Sequence, residues 1–217
     1  MNPATAVLLA LAGAAAAVNW VGVARGDRRL VYAAKPSTLA LLVGAAAVLD
    51  ADDGAVRAWF VAGLALSLVG DVILMLPDDR PTGPNMFLYG LGSFLLGHLA
   101  YIAGMGSDHR SWALTLVGAV GVAAALAVIG PRVLAGVSES SPAMRGPVLG
   151  YMAVISVMVV TAFGRTVPAG IVGALLFYAS DASLAWNRFV RPSPALRLTV
   201  IVTYHLAQAA LVLALLA

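Results

Sequence analysis

The sequence predicts an all-α polytopic membrane protein, a single transmembrane domain of eight helices over residues 1–217. Three observations carry this. Hydrophobic residues make up 61% of the chain and charged residues 11%, against about 45–50% and about 25% in soluble domains. The mean hydropathy is +0.94. The apolar residues form continuous runs near the roughly 20 residues that cross a bilayer as a helix. A globule of 217 residues has too little interior to hide this much apolar surface from water. Continuous rather than alternating runs exclude a β-barrel. The same composition excludes disorder, a coiled coil and a nucleic-acid module.

The runs follow in order. The first, about residues 3–24, ends at Arg25 to Arg29. It lacks a basic leader and its positive charge follows it, so it reads as an uncleaved helix although Ala14 to Ala17 mimic a cleavage site. The second, about 32–49, is the weakest, because Lys35 and Pro36 stand near its start; Asp50 to Arg57 close it. The third, about 58–77, precedes the break Asp78 to Asn85, and the fourth, about 86–105, precedes Gly106 to Ser111. The fifth, about 112–130, meets the longest expected loop, Pro131 to Gly146. The sixth, about 147–163, and the seventh, about 168–187, are parted only by Gly164 to Val167; merging them would give seven spans. Arg188 to Arg197 separate the eighth, about 198–217. No break holds a soluble domain.

Net charge is +3, from 13 Lys and Arg against 10 Asp and Glu. The basic residues are scattered through short loops, which points to membrane orientation rather than to nucleic acid. Odd-numbered loops carry Arg25, Arg28, Arg29, Lys35, Arg80, Arg132, Arg145, Arg188, Arg191 and Arg197; even-numbered ones carry Arg57, Arg110 and Arg165. The excess places the odd loops in the cytoplasm and both termini outside. The Ala-, Gly- and Arg-rich, Lys-poor composition fits a high-GC bacterial genome, hence the bacterial inner membrane. With no cysteine there is no disulfide, thiol nucleophile or cysteine metal site.

Ionisable groups within spans cost at least a few kcal/mol each and mark function. Asp71 in the third span and Asp181 in the seventh each lie about six residues from the span end, roughly 9 Å inside. Both helices run toward the cytoplasm, so the acids share one depth. Asn19, Lys35, Tyr89, Tyr151, Tyr204 and His205 come to a similar level, with His98 deeper. The expectation is a polar cavity open to the cytoplasmic leaflet, with Asp71 and Asp181 as catalytic residues. Gly90, Gly92 and Gly97 read as sites of close helix packing. Aligning the acids pairs Gly63 with Gly173 and Leu66 with Leu176; His98-Leu99-Ala100 then answers His205-Leu206-Ala207, which suggests two parallel four-helix halves.

Two carboxylates in a low-dielectric site suit general acid–base hydrolysis, one protonated and one ionised. No Gly-x-Ser-x-Gly elbow, zinc-ligand spacing, Walker loop or dinucleotide fingerprint occurs, so no metal and no cofactor are expected. A proton-coupled transporter also uses membrane acids and repeats, but both acids here lie toward one side. An intramembrane aspartyl protease is the third reading; Gly70-Asp71 and Pro194-Ala195-Leu196 resemble its motifs, but Leu68 replaces the glycine three residues before the acid.

In sum these segments resemble the YhhN family of lysoplasmalogenase-like integral membrane proteins. The resemblance rests on Lys35-Pro36, Gly70-Asp71-Val72-Ile73-Leu74-Met75-Leu76, the run from Phe94 to Tyr101, Gly150-Tyr151-Met152, Gly173 to Phe177, Ser180-Asp181, Arg188-Phe189, and Tyr204-His205-Leu206-Ala207-Gln208, in order along most of the chain. It implies an eight-helix hydrolase that cleaves the vinyl ether bond of lysoplasmalogens to a fatty aldehyde and a glycerophospho-headgroup. The family's two acids fall on Asp71 and Asp181, and Lys35 and His98 on its polar positions. Tyr151, Tyr178, His205 and Asn19 are expected to complete the substrate site, with Lys35 and loop arginines holding the phosphate. The expected partners are a lysophospholipid and the bilayer; oligomeric state is not legible.

Overall fold

The computed structural model describes residues 1–76 and 85–217. It contains α1 (Pro3–Arg25), α2 (Arg28–Val48), α3 (Gly54–Met75), α4 (Met86–Gly106), α5 (Trp112–Ser140), a 3₁₀ turn (Pro142–Met144), α6 (Arg145–Arg165), α7 (Pro168–Phe189) and α8 (Pro194–Leu213), then a 3₁₀ turn (Ala214–Leu216). Among the described residues there is no strand. Among the described residues eight helices, the sixth and eighth counted with their 3₁₀ turns, are long and apolar enough to cross a membrane. The protein is an integral membrane protein. Val7, Leu11, Trp112, Leu116, Val120 and Val128 face outward, as a lipid-facing surface requires.

The charged breaks make the helix ends. Asp27 accepts from the amides of Arg29 and Leu30, and Asp53 from those of Ala55 and Val56, capping α2 and α3. Gly26, at φ 69°, closes α1 in the left-handed conformation that glycine adopts without strain. Asn2 caps α1 through Thr5 N and donates to the Val48 carbonyl at 2.6 Å.

Several boundaries differ from expectation: α2, α3 and α8 begin at Arg28, Gly54 and Pro194, each about four residues before the expected start. Lys35 and Pro36, expected near the start of the second span, therefore lie about two turns inside α2. The helix α5 runs through Pro131 to Ser140, where a loop from Pro131 to Gly146 is expected. A hydropathy reading stops at the first charge or proline, whereas the backbone continues and long basic side chains reach out to water. Arg132 does so while donating to the Val128 carbonyl. The break from Asp78 to Asn85, including Arg80, lies outside the described residues except for Asn85, which accepts from Leu88 N and starts α4.

The chain divides into two compact units, Met1–Gly104 with Leu215–Ala217, and Met105–Ala214. In the first, α3 and α4 pack closely. A methyl added at Gly63 would meet the Tyr101 ring, at Gly70 the Phe94 ring, at Gly90 Leu74, and at Gly97 the Gly63 carbonyl. Gly92 faces open space instead, so it does not pack as expected. Ser93 donates to the Leu66 carbonyl at 2.6 Å, and Phe60 meets Tyr101 edge-on at 5.3 Å. In the second unit Gly173 lies against Ala207 and Leu211, Ser180 donates to the Val200 carbonyl, and Phe177 meets Tyr204 edge-on.

Candidate active site

Each unit holds one membrane acid on its third helix, gripped by a side chain from its second. In the first unit Lys35 Nζ lies 2.9 Å from Asp71 Oδ1; the Asp71 side chain is 1% exposed and that of Lys35 16%. Lys35 is the one lysine of the chain, and it stands inside α2 because its partner neutralises it there. The pair is charge-balanced, which is how a carboxylate survives in low dielectric. In the second unit the Tyr151 hydroxyl donates to Asp181 Oδ2 at 2.6 Å. Tyr151 is buried and Asp181 half-buried.

The other expected residues take distinct places. Asn19 is fully buried and its amide donates to the Val31 carbonyl at 3.4 Å, tying α1 to α2. Gly97 opposite Gly63 and Ser93 opposite Leu66 set the register of α4 on α3. That register puts His98 level with residue 62, nine residues or about 13 Å along α3 from Asp71. Likewise Gly173 opposite Ala207 and Ser180 opposite Val200 put His205 level with Leu175, six residues or about 9 Å from Asp181. Both histidines are buried, 1% and 2% exposed. The helix registers therefore set both histidines deeper than the acid of their own unit. Tyr89, expected at the acids' depth, is 57% exposed. Tyr178 is half-buried and hydrogen-bonded with Ser156. It lines an apolar cleft of about 80 Å³ between α5, α6 and α7, together with Gly121, Val122, Val159, Phe163 and Leu175. Tyr178 precedes Asp181 by one helical turn.

Two residues escape a composition reading. Tyr32 donates its hydroxyl to the Met75 carbonyl at 2.6 Å, and Arg28 Nη2 donates to the same hydroxyl at 3.1 Å. The signal lies in the spacing: residues 28, 32 and 35 share one helix face. It is missed when the span is begun at residue 32. Among the described residues no cluster of three or more His, Asp or Glu side chains is grouped to hold a metal.

At the turn that leads into α5, Asp108 and Arg110 form a polar knot with Arg165, the last residue of α6. Arg110 and Ser111 donate their amides to the Gly164 carbonyl at 2.9 and 3.0 Å. Hydrogen bonding from Arg110, with the charge of Arg165 behind it, holds the Asp108 carboxyl below its ordinary range against a partial burial that pushes the other way. His109 hydrogen-bonds Thr115 and stacks near Trp112.

Comparison with known proteins gives the context for these placements. A lysoplasmalogenase of Mycobacterium bovis is 31% identical over 91% of this chain and 82% of its own length. Lysoplasmalogenase TMEM86B of Sus scrofa is 32% identical over 71% of this chain and 62% of its own. An uncharacterized membrane protein YhhN of Escherichia coli O157:H7 is 32% identical over 72% and 73%. No solved structure matches. The model of the YhhN family matches residues 30–215, a stretch that takes in the second to eighth spans and both membrane acids. With the eight-helix fold, the matched relatives and that span, the chain belongs to the YhhN family.

Proposed function

We propose that this protein hydrolyses the vinyl ether bond of a lysoplasmalogen, giving a fatty aldehyde and a glycerophospho-headgroup, with Asp71 and Asp181 as its acid–base residues. The observation that carries the reading is the buried Lys35–Asp71 ion pair, in a chain several of whose matched relatives are named lysoplasmalogenase.

The chemistry asks for little. A proton adds to the alkene carbon that is β to the ether oxygen. The resulting oxocarbenium ion takes up one water, and the hemiacetal collapses to aldehyde and alcohol. The catalyst needs a proton donor, and a carboxylate that stabilises the cation and draws a proton from water. Asp71, balanced by Lys35, suits the anionic role. Asp181, held by Tyr151, then takes the donor role, and the phenol fixes its orientation. The bilayer is the bacterial inner membrane, with the acids toward the cytoplasmic leaflet and both termini outside, as the loop charges argue.

The test is aldehyde release from lysoplasmenyl-ethanolamine by the purified protein in detergent, followed by mass spectrometry. The saturated ether lysolipid is the control. Wild type is expected to release aldehyde that carries one deuterium on carbon 2 when the reaction runs in deuterium oxide. Asp71→Asn and Asp181→Asn are expected to lose at least about a hundredfold in rate, the low end of what a general acid or base contributes. A wild type that releases nothing, or an Asp→Asn variant that keeps full rate, overturns the reading.

A further inference from the structure

The inference rests on the lysolipid reading above and concerns where the headgroup goes. Lys35 and loop arginines are the expected phosphate ligands, but the structure commits Lys35 to Asp71 at 2.9 Å. An ammonium engaged with a buried carboxylate is poorly placed to take a phosphate as well. The neighbouring cation on the same face of α2 is Arg28, seven residues nearer the helix start. Its setting is built. The Tyr32 hydroxyl is fixed on the last turn of α3 by donating to the Met75 carbonyl. Arg28 donates one N–H to that hydroxyl, and its guanidinium carbon lies 5.5 Å from the Tyr32 ring centroid. One of five guanidinium donors is thereby used to aim the rest. Arg28 is exposed and Tyr32 is 42% exposed, so the seat opens outward at the rim while Lys35 and Asp71 lie inward along the same helix pair.

We propose that Arg28, aimed by Tyr32, is the seat for the phosphodiester of the lysolipid headgroup. The spacing fits that ligand. Seven residues of helix separate Arg28 from Lys35, about 10 Å. From phosphorus to the alkene carbon that accepts the proton is seven bonds, about 8 Å when extended. The guanidinium-to-phosphorus separation adds about 4 Å. A glycerol backbone lying along α2 with its phosphate on Arg28 thus brings the vinyl ether to the level of the Lys35–Asp71 pair. The planar fork of arginine also matches phosphate geometry as lysine does not.

The test uses binding rather than turnover. Detergent-solubilised protein is titrated with a 1-O-alkyl lysophosphoethanolamine, which cannot be cleaved, and with a 1-O-alkylglycerol of the same chain. Wild type is expected to prefer the phosphate lipid by about tenfold, the worth of one charge-assisted hydrogen bond. Arg28→Gln removes that preference and leaves alkylglycerol binding unchanged. Tyr32→Phe weakens it by about threefold, because the guanidinium loses its aim. Arg28→Lys, which keeps the charge and loses the fork, falls between and serves if Arg28→Gln does not fold. Arg29→Gln, an exposed neighbour, keeps the full preference. The proposal is overturned if Arg28→Gln or Arg28→Lys retains the full wild-type preference, or if Arg29→Gln loses it equally. It is also overturned if a two-chain phosphatidylethanolamine binds with the same dependence on Arg28, which would mark an ordinary interface anchor. Because the probe is not hydrolysed, these outcomes are separate from whether wild type releases aldehyde.

Discussion

Replacing Lys35 by Met keeps most of the length of the side chain and removes its charge, leaving Asp71 buried without its cation. At 2.9 Å and an effective dielectric of about 20, the lost attraction is about 6 kcal/mol before desolvation is counted. The desolvation of Lys35, whose side chain is 16% exposed, is recovered, so the net loss is smaller. Removing one partner of a buried pair costs about 3–5 kcal/mol. For a chain of this size that lowers the melting temperature by about 6–20 °C. Replacing both partners, Lys35→Met with Asp71→Leu, removes the uncompensated charge and should restore most of the loss. The assay is thermal unfolding in detergent for the four species of a double-mutant cycle, with Arg29→Met as an exposed-charge control. A Lys35→Met shift no larger than that of Arg29→Met would refute the claim that the pair is a buried, mutually dependent unit. So would a double variant as unstable as the sum of its singles.

Two further outcomes follow from the packing and the loops. Gly63→Ala drives a methyl to within 2.7 Å of the Tyr101 ring and should destabilise by about 1–3 kcal/mol; Gly92→Ala, with nothing within 4 Å, should be neutral or slightly stabilising, and parallel melts decide it. Asp108 has its carboxyl pulled below its ordinary value of 3.8, first by the Arg110 hydrogen bond. A carboxyl lowered in the folded state adds stability that is present above that value and fades as pH falls through the folded one. The melting-temperature gap between wild type and Asp108→Asn should therefore be present at pH 7 and close below pH 3.8; a gap that widens in acid would reverse the assignment.

Much of the architecture is legible in composition and order alone. Sustained apolar runs must cross lipid as helices, because a backbone in lipid has to satisfy its own hydrogen bonds. The charges that end those runs reappear as the caps of Asp27 and Asp53. Asp71, Lys35, Asp181 and Tyr151 stand out from sequence for the same reason, since polar groups are rare and costly in that medium. Helix ends are less legible: Pro131 looks like a boundary, yet α5 runs through it, and α2 begins at Arg28, about a turn before the expected start.

What composition could not decide is which polar groups meet. Depth along a span follows from counting residues, but rotation and register depend on how one helix face seats on the next. Gly63 opposite Gly97 and Gly173 opposite Ala207 set those registers, and they carry His98 and His205 away from the acid of their own unit. The partner of each acid likewise comes from the preceding helix, Lys35 for Asp71 and Tyr151 for Asp181. An apolar run determines that a helix crosses the membrane; only the contact between two helix faces, decided by side-chain volume at a few glycines and by one charge meeting its opposite, determines what that helix presents to its neighbour.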